Sequence, residues 1–368
     1  MKDIDKFRGC LIGGAAGDAL GYPVEFLSAA NIFAKYGPKG ITEYEKSGGK
    51  ALISDDTQMT LFTANGLLFG KTRYMTRGIG APYEMYIARC YHDWYLTQTK
   101  SYPLEAEATC SWLVNGPELF SRRAPGTTCL SAIESGCEGT IEKPINQSKG
   151  CGGIIRVAPI GLYFSASDYE QREIDLLGAR VAALTHGHEL GYMPAAMLVH
   201  IISFICKYPD KKLRGAVVDS LAMLDDLFPG AIHKNYLKKL IKKAVTLAGE
   251  KMDDVEAIGQ LGEGWVGEET LAIAIYCALK YNDDFDRALI AAVNHSGDSD
   301  STGAVTGNIL GTYLGLSNIP HKYQIYLELW DLLLAIADDM YNDCQIREYD
   351  SFSDETWEHK YIYHDYKI

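Results

Sequence analysis

Apolar residues recur at three- and four-residue spacing along most of this chain. The stretches 83–98, 173–186, 193–208, 216–228, 233–249, 268–281 and 323–341 all carry the pattern, which predicts amphipathic helices. "QMTLFTANGLLF" (58–69) reads the same way. Alternating strand patterns are scarce. The glycines near the N-terminus follow no strand, so no dinucleotide-binding strand–loop–helix unit is expected. Segments 47–56, 122–128 and 145–153 are rich in Gly and Ser or carry a Pro-Gly turn, and read as loops. No stretch has the composition of a linker. The expectation is an all-α fold: a single compact multi-helix domain over residues 1–368 with long functional loops.

Two helical stretches break the ordinary rule for helix interiors. Glycines fall at 9, 13, 17 and 21, and again at 303, 307, 311 and 315. Each series places a bare stripe on one helix face. Glycine inside a helix costs roughly 1 kcal/mol against alanine, so four per helix call for a very close neighbour. Tight helix packing is the expectation, bringing the N-terminal ends of these helices into one small site.

Acidic clusters sit where helices begin. "SDDT" (54–57) precedes the run at 58–69, and "GDSDST" (297–302) precedes the second glycine helix. Capping alone explains one Ser or Asp at a helix start. It does not explain Asp55 beside Asp56, or Asp298 and Asp300 one residue apart. Like charges so close repel unless a cation lies between them. The donors are all oxygen, which suits Mg²⁺, Mn²⁺ or Ca²⁺ and not zinc. Two such pairs brought together could hold two ions roughly 3.5–4 Å apart.

Composition narrows the picture. The net charge of -13 disfavours general binding to nucleic acid or to anionic membranes, which needs concentrated Lys and Arg. Nine cysteines without a CxxC pair read as reduced thiols, so a cytoplasmic setting is expected. The N-terminal apolar run is too short and too acidic for a signal peptide or a membrane span.

Five segments resemble, in order, the motifs of the ADP-ribosylglycohydrolase family, which includes the dinitrogenase-reductase-activating glycohydrolase and the ADP-ribosylhydrolases. They are "GCLIGGAAGDALGYPVEF" (9–26), "SDDTQMT" (54–60), "SKGCGGIIRVAPIGL" (148–162), "THGHELGYMPAA" (185–196) and "SGDSDSTGAVTGNILGTYLG" (296–315). The resemblance covers about residues 8–320 and leaves 321–368 as a C-terminal extension. It implies a single all-α domain with a two-magnesium centre, manganese in some members, between helix N-termini. The implied reaction is hydrolysis of the N- or O-glycosidic bond joining ADP-ribose to a target.

Carried over by motif, Ser54, Asp55, Asp56, Asp298, Asp300 and Ser301 would be metal ligands. Asp56, Glu25 and Asp298 would be the carboxylates closest to the chemistry, with Asp56 or Glu25 taking the proton of the attacking water. Ser148, Gly150, Cys151, Gly152 and Gly153 would wrap the diphosphate, and His188 would face a ribose. "EGWVGEE" (263–269) resembles a variable wall near the adenosine end. Where the family often has threonine in its second cluster, this chain has Ser299 and Ser301, which keep the hydroxyl.

Other residues have plainer readings. His186 is read as structural, Arg156 as support, and Cys151 as a small loop residue and not a nucleophile. Asp18 either holds the 54–57 segment by hydrogen bonds or takes part in chemistry. The expected partner is an ADP-ribosylated protein or an ADP-ribose-containing small molecule, with ADP-ribosylarginine the preferred linkage. The competing readings are a non-catalytic ADP-ribose or nucleotide-binding protein, and a hydrolase of another ADP-ribosyl linkage (serine, nucleic acid or small molecule). The charged, aromatic tail is expected to pack on the surface or on a partner.

Overall fold

The computed structural model describes residues 2–105, 108–349 and 351–368. Its helices are α1 (Ile4–Gly21), α2 (Ala29–Tyr36), α3 (Asp55–Arg77), α4 (Tyr83–Thr99), α5 (Thr127–Glu134), α6 (Ala158–Tyr163), α7 (Gln171–Ala183) and α8 (Glu189–Lys207). The second half adds α9 (Leu213–Leu227), α10 (Lys234–Leu247), α11 (Asp254–Gly259), α12 (Gly267–Lys280), α13 (Phe285–Val293), α14 (Ser299–Leu314), α15 (Trp330–Asn342) and α16 (Glu355–Tyr361). Among the described residues the sheet is one antiparallel pair, β1 (Lys46–Ser47) with β2 (Lys50–Ala51). The all-α expectation holds.

At the centre α1 packs antiparallel on α14. Gly9, Gly13 and Gly17 lie against the backbone of Gly311, Gly307 and Gly303, and Gly21 lies against Ser299. A methyl group on any of these four would overlap a carbonyl oxygen of α14. Asn308, on the same seam, donates to the Cys10 carbonyl at 2.9 Å and stitches the pair from within. The close packing read from the glycine ladders is present, but the sense of the pairing differs from expectation. Because the helices are antiparallel, α1 brings its C-terminal end, not its N-terminal end, to the start of α14.

The predicted helices appear with shifted ends, save one. Periodicity over 323–341 predicts a single helix, yet α15 begins only at Trp330. Tyr326 and Leu329 take left-handed backbone angles (φ 71° and 59°), which stop a helix. The segment instead pairs with β2: the Ala51 amide donates to the Tyr326 carbonyl (2.7 Å), and the Glu328 amide donates to Ala51 (3.0 Å).

The tail packs on its own chain. Trp357 and Tyr361 of α16 are buried, and the Trp357 indole donates to Thr72 Oγ1 at 2.9 Å. Asn115 holds the last turns through the carbonyls of His364 and Tyr366. Helix α8 is apolar and long enough to cross a membrane, yet 83% of its apolar window is buried among the other helices.

The seam makes a stability prediction. Gly13→Ala or Gly307→Ala should lower stability by about 1–3 kcal/mol or more, because the new methyl meets backbone that cannot turn aside. Gly215→Ala in α9, where a methyl meets nothing within 4 Å, should gain about 0.4–1 kcal/mol. Denaturant unfolding midpoints of the three variants check this; equal effects would contradict the seam.

Candidate metal centre

Three segments deliver carboxylates to one place. The α1 C-terminus runs into a short turn, Tyr22–Val24, that carries Glu25. Ser54 caps α3, placing Asp55 and Asp56 in its first turn. Asp298 caps α14, placing Asp300 in its first turn. Oxygens of Glu25, Asp298 and Asp300 lie within 4.8 Å of one another. Asp56 belongs to the same buried patch: burial first, then the charges of Asp55, Asp18 and Asp298, raise its carboxyl.

Buried hydrogen bonds hold the frame. Asp18 of α1 accepts from the Ser54 amide at 2.9 and 3.1 Å, and from both the amide and hydroxyl of Thr57. Of its two readings, holding the 54–57 segment is the one the contacts show. The Asp55 amide donates to the Arg123 carbonyl, and the Gly126 amide donates to Asp55 Oδ2, both at 3.3 Å. Gly297 adopts φ +126°, where a side chain would strike the Glu263 carbonyl; the neighbouring Asp298 amide donates to that same carbonyl at 2.8 Å.

The electrostatics of the cluster are unfavourable as it stands. Burial, then the charges of Asp298, Asp55 and Asp18, push Glu25 up to about 9. Burial also raises Asp55 to about 8 and Asp18 to about 6. Asp56 and Asp300 are pushed well above the usual carboxylate range by burial and by their acidic neighbours. Glu25 Oε2 and Asp56 Oδ2 are buried without a hydrogen-bond partner. Unpaired buried carboxylate oxygens are costly, and several aimed at one another call for a cation. The residues fit a hard divalent ion, since Ser54, Asp55, Asp56, Asp298, Asp300 and Ser301 all offer oxygen.

The other candidates line a neighbouring wall. Ser148 Oγ lies 3.1 Å from Thr128 Oγ1, and the Ser148 carbonyl accepts from the His188 amide at 3.2 Å. Gly150, Gly152 and Gly153 pack over His186, which burial and then Arg156 hold neutral at about 3. His186 is thus structural, as expected. His188 caps α8 through Nδ1, and its ring lies 4.6 Å from that of His233; none of these contacts reaches the carboxylates. The Cys151 amide is engaged by the Trp265 carbonyl (3.2 Å), while its thiol donates to Asp298 Oδ2 at 2.9 Å.

Arg156 is fully buried, donating to the Val181 carbonyl and Thr185 Oγ1 and lying over the Tyr91 ring at 4.4 Å. That is a supporting role.

Sequence reasoning missed three contributors. Gly126, read only as part of a loop turn, supplies an amide to Asp55. Asn146 ties together Ser148, Thr185 and Gly187. Exposed Phe26 stacks on Trp265 (5.8 Å between ring centres, 18° apart), joining the Glu25 segment to the 263–269 wall. Only the last left a sequence signal, an aromatic directly after Glu25.

Fold and centre together define the class: an all-helical protein with an oxygen-lined acidic centre at two helix N-termini. The chain belongs to the ADP-ribosylglycohydrolase family, whose model matches residues 1–349. It is a hydrolase acting on glycosidic linkages to ADP-ribose. The mouse ADP-ribosylhydrolase ARH3 is 25% identical over 356 residues, 88% of this chain and 87% of that protein. The ADP-ribosylarginine hydrolase Tri1 of Pseudomonas putida is 23% identical, covering 87% of this chain and 73% of its own. A solved ADP-ribosylglycohydrolase-related protein complex shares the fold at a TM-score of 0.62 and 24% identity, across 92% of this chain and 98% of the other.

The raised carboxylates set a pH dependence. The folded pKa values of Glu25 (about 9) and Asp55 (about 8) exceed their ordinary values of 4.5 and 3.8, so the folded state binds more protons than the unfolded one between these limits. The stability these groups contribute is complete below their unfolded values and is lost as pH rises through the folded ones. A bound cation would replace the missing protons. With chelator present, Mg²⁺-free protein should unfold at lower temperature at pH 8.5 than at pH 6, and added Mg²⁺ or Mn²⁺ should raise the midpoint more at pH 8.5. A cation effect equal at both values, or larger at pH 6, would contradict this.

Proposed function

We propose that the chain hydrolyses the bond between ADP-ribose and an arginine side chain of a modified protein, in the cytoplasm, using two divalent cations, Mg²⁺ or Mn²⁺. The observation that carries this reading is the convergence of Glu25, Asp55, Asp56, Asp298 and Asp300 with two buried oxygens left unpartnered. A protein that only bound ADP-ribose would have no use for so much unneutralised charge. The arginine linkage draws on two supports: a relative named for it, and the aromatic pair Phe26 and Trp265 next to Glu25, whose faces suit a guanidinium.

In this reading Ser54, Asp55, Asp56, Asp298, Asp300 and Ser301 hold the cations. When bound, these would supply positive charge to orient ribose hydroxyls and to make water more acidic. Ser148 and the glycines at 150, 152 and 153 hold the diphosphate through hydroxyl and backbone N–H groups. Water attacks the anomeric carbon of the terminal ribose as its bond to the guanidine nitrogen breaks. The positive charge of bound cations would hold Glu25 ionised despite its raised pKa, and its buried, unpartnered Oε2 accepts the proton of that water as the guanidine leaves carrying a proton from solvent. Asp18 positions the first cluster and touches no substrate.

Glu25→Gln should lower release of ADP-ribose from ADP-ribosylarginine protein by about 10²–10⁴-fold while cation binding persists. Chelator should abolish release by the unaltered protein. Wild-type turnover by the Gln variant would remove Glu25 from the mechanism. Binding of ADP-ribose without release from arginine- or serine-linked substrates would favour the binding-protein reading.

A further inference from the structure

A cavity lies toward the other end of α3 from the acidic cluster. Lys71, which lines it, is about 22 Å along that helix from Asp56, at roughly 1.5 Å per residue. The cavity encloses about 410 Å³, within the range of small-molecule sites (roughly 300–1,000 Å³). Part of its lining is aromatic. Phe164 meets Tyr83, Tyr163 and Tyr169 edge to face, with ring centres 5.1, 5.0 and 5.0 Å apart. Tyr74 and Tyr169 also line the space and stay 58% and 53% exposed, so rings are open to an incoming molecule.

Two ammonium groups share the cavity. Lys2 Nζ uses two of its three donors on the carbonyls of Met340 and Tyr341 (3.2 and 3.0 Å) and lies 5.8 Å from the Tyr163 ring centre. Lys71 makes no hydrogen bond among the described residues; its ion-pair partner there, Asp343 Oδ2, is 3.9 Å away. Asp343 Oδ1 accepts from the Tyr163 hydroxyl (2.5 Å) and the Cys344 amide (2.8 Å). Two lysines against one aspartate leave the lining positive by one charge, in a chain whose net charge is -13. We propose that this cavity binds a small aromatic carboxylate, a monoanion, at a site separate from the acidic centre. Its ring lies against Tyr74, Tyr83 and Tyr169, and its carboxylate accepts from the unengaged donors of Lys71 and Lys2.

The test uses the full-length protein with chelator present, so that no added cation can hold the probe. The probe is 4-fluorophenylacetate, followed by fluorine magnetic resonance at pH 7, with the uncharged 4-fluorophenylacetamide beside it. Wild type should bind the acid about tenfold or more tightly than the amide. Lys71→Gln should lose about tenfold in affinity for the acid and leave the amide unchanged, while Tyr74→Ala should weaken both. Both substitutions fall on side chains in contact with solvent, and thermal unfolding at the wild-type midpoint shows that the variants fold. No binding of the acid by wild type, or wild-type affinity for it in Lys71→Gln or Tyr74→Ala, would overturn the proposal. No readout here depends on hydrolysis, so failure would leave the catalytic reading standing.

Discussion

The close approach of α1 to α14 is the constraint on which the rest depends. Backbone meets backbone along Gly9, Gly13, Gly17 and Gly21, with no side chain between. Helices ordinarily pack 8–10 Å apart, the distance set by the side chains at the contact; a seam without them closes further. The antiparallel sense sets the C-terminal dipole of α1 beside the N-terminal dipole of α14, a favourable arrangement. It also sets Asp18 and Glu25, at the end of α1, beside Asp298 and Asp300. Widening the seam would move one half of the acidic centre away from the other.

The centre built on that seam opposes folding. Burial first, and the mutual repulsion of the carboxylates after it, raise the pKa values of Glu25 and Asp55. The surroundings hold them together regardless. Asp18 accepts from Ser54 and Thr57, Gly126 and Arg123 hold Asp55, and Gly297 lets the chain turn against Glu263. Arg123 in turn is paired with buried Glu328 from the far end of the chain. Such an arrangement would become favourable with bound cations, in keeping with the proposed ion dependence.

Much of this was legible in the sequence because the signals are local. The 3.6-residue period gave the helices, the four-residue glycine spacing gave the close seam, and doubled acids at helix starts gave the centre. What remained hidden depends on distant partners. The direction of the α1–α14 pairing cannot be read from either ladder alone. The segment 323–329 has helical periodicity, but its pairing with Ala51, some 275 positions away, overrides it. Gly126 and Asn146 act through a backbone amide and a side-chain amide whose targets nothing nearby announces. Cys151 looks like one more small residue in a glycine loop until Asp298 is placed beside its sulfur.

The central claim is that the two acidic clusters and Glu25 form one cation-holding centre. Anomalous diffraction at the manganese edge, from crystals of the full chain grown with Mn²⁺, tests it most directly. The account predicts two strong peaks bounded by Asp55 and Asp56 on one side and Asp298 and Asp300 on the other. No peak at these carboxylates, with manganese bound elsewhere or not at all, would contradict it.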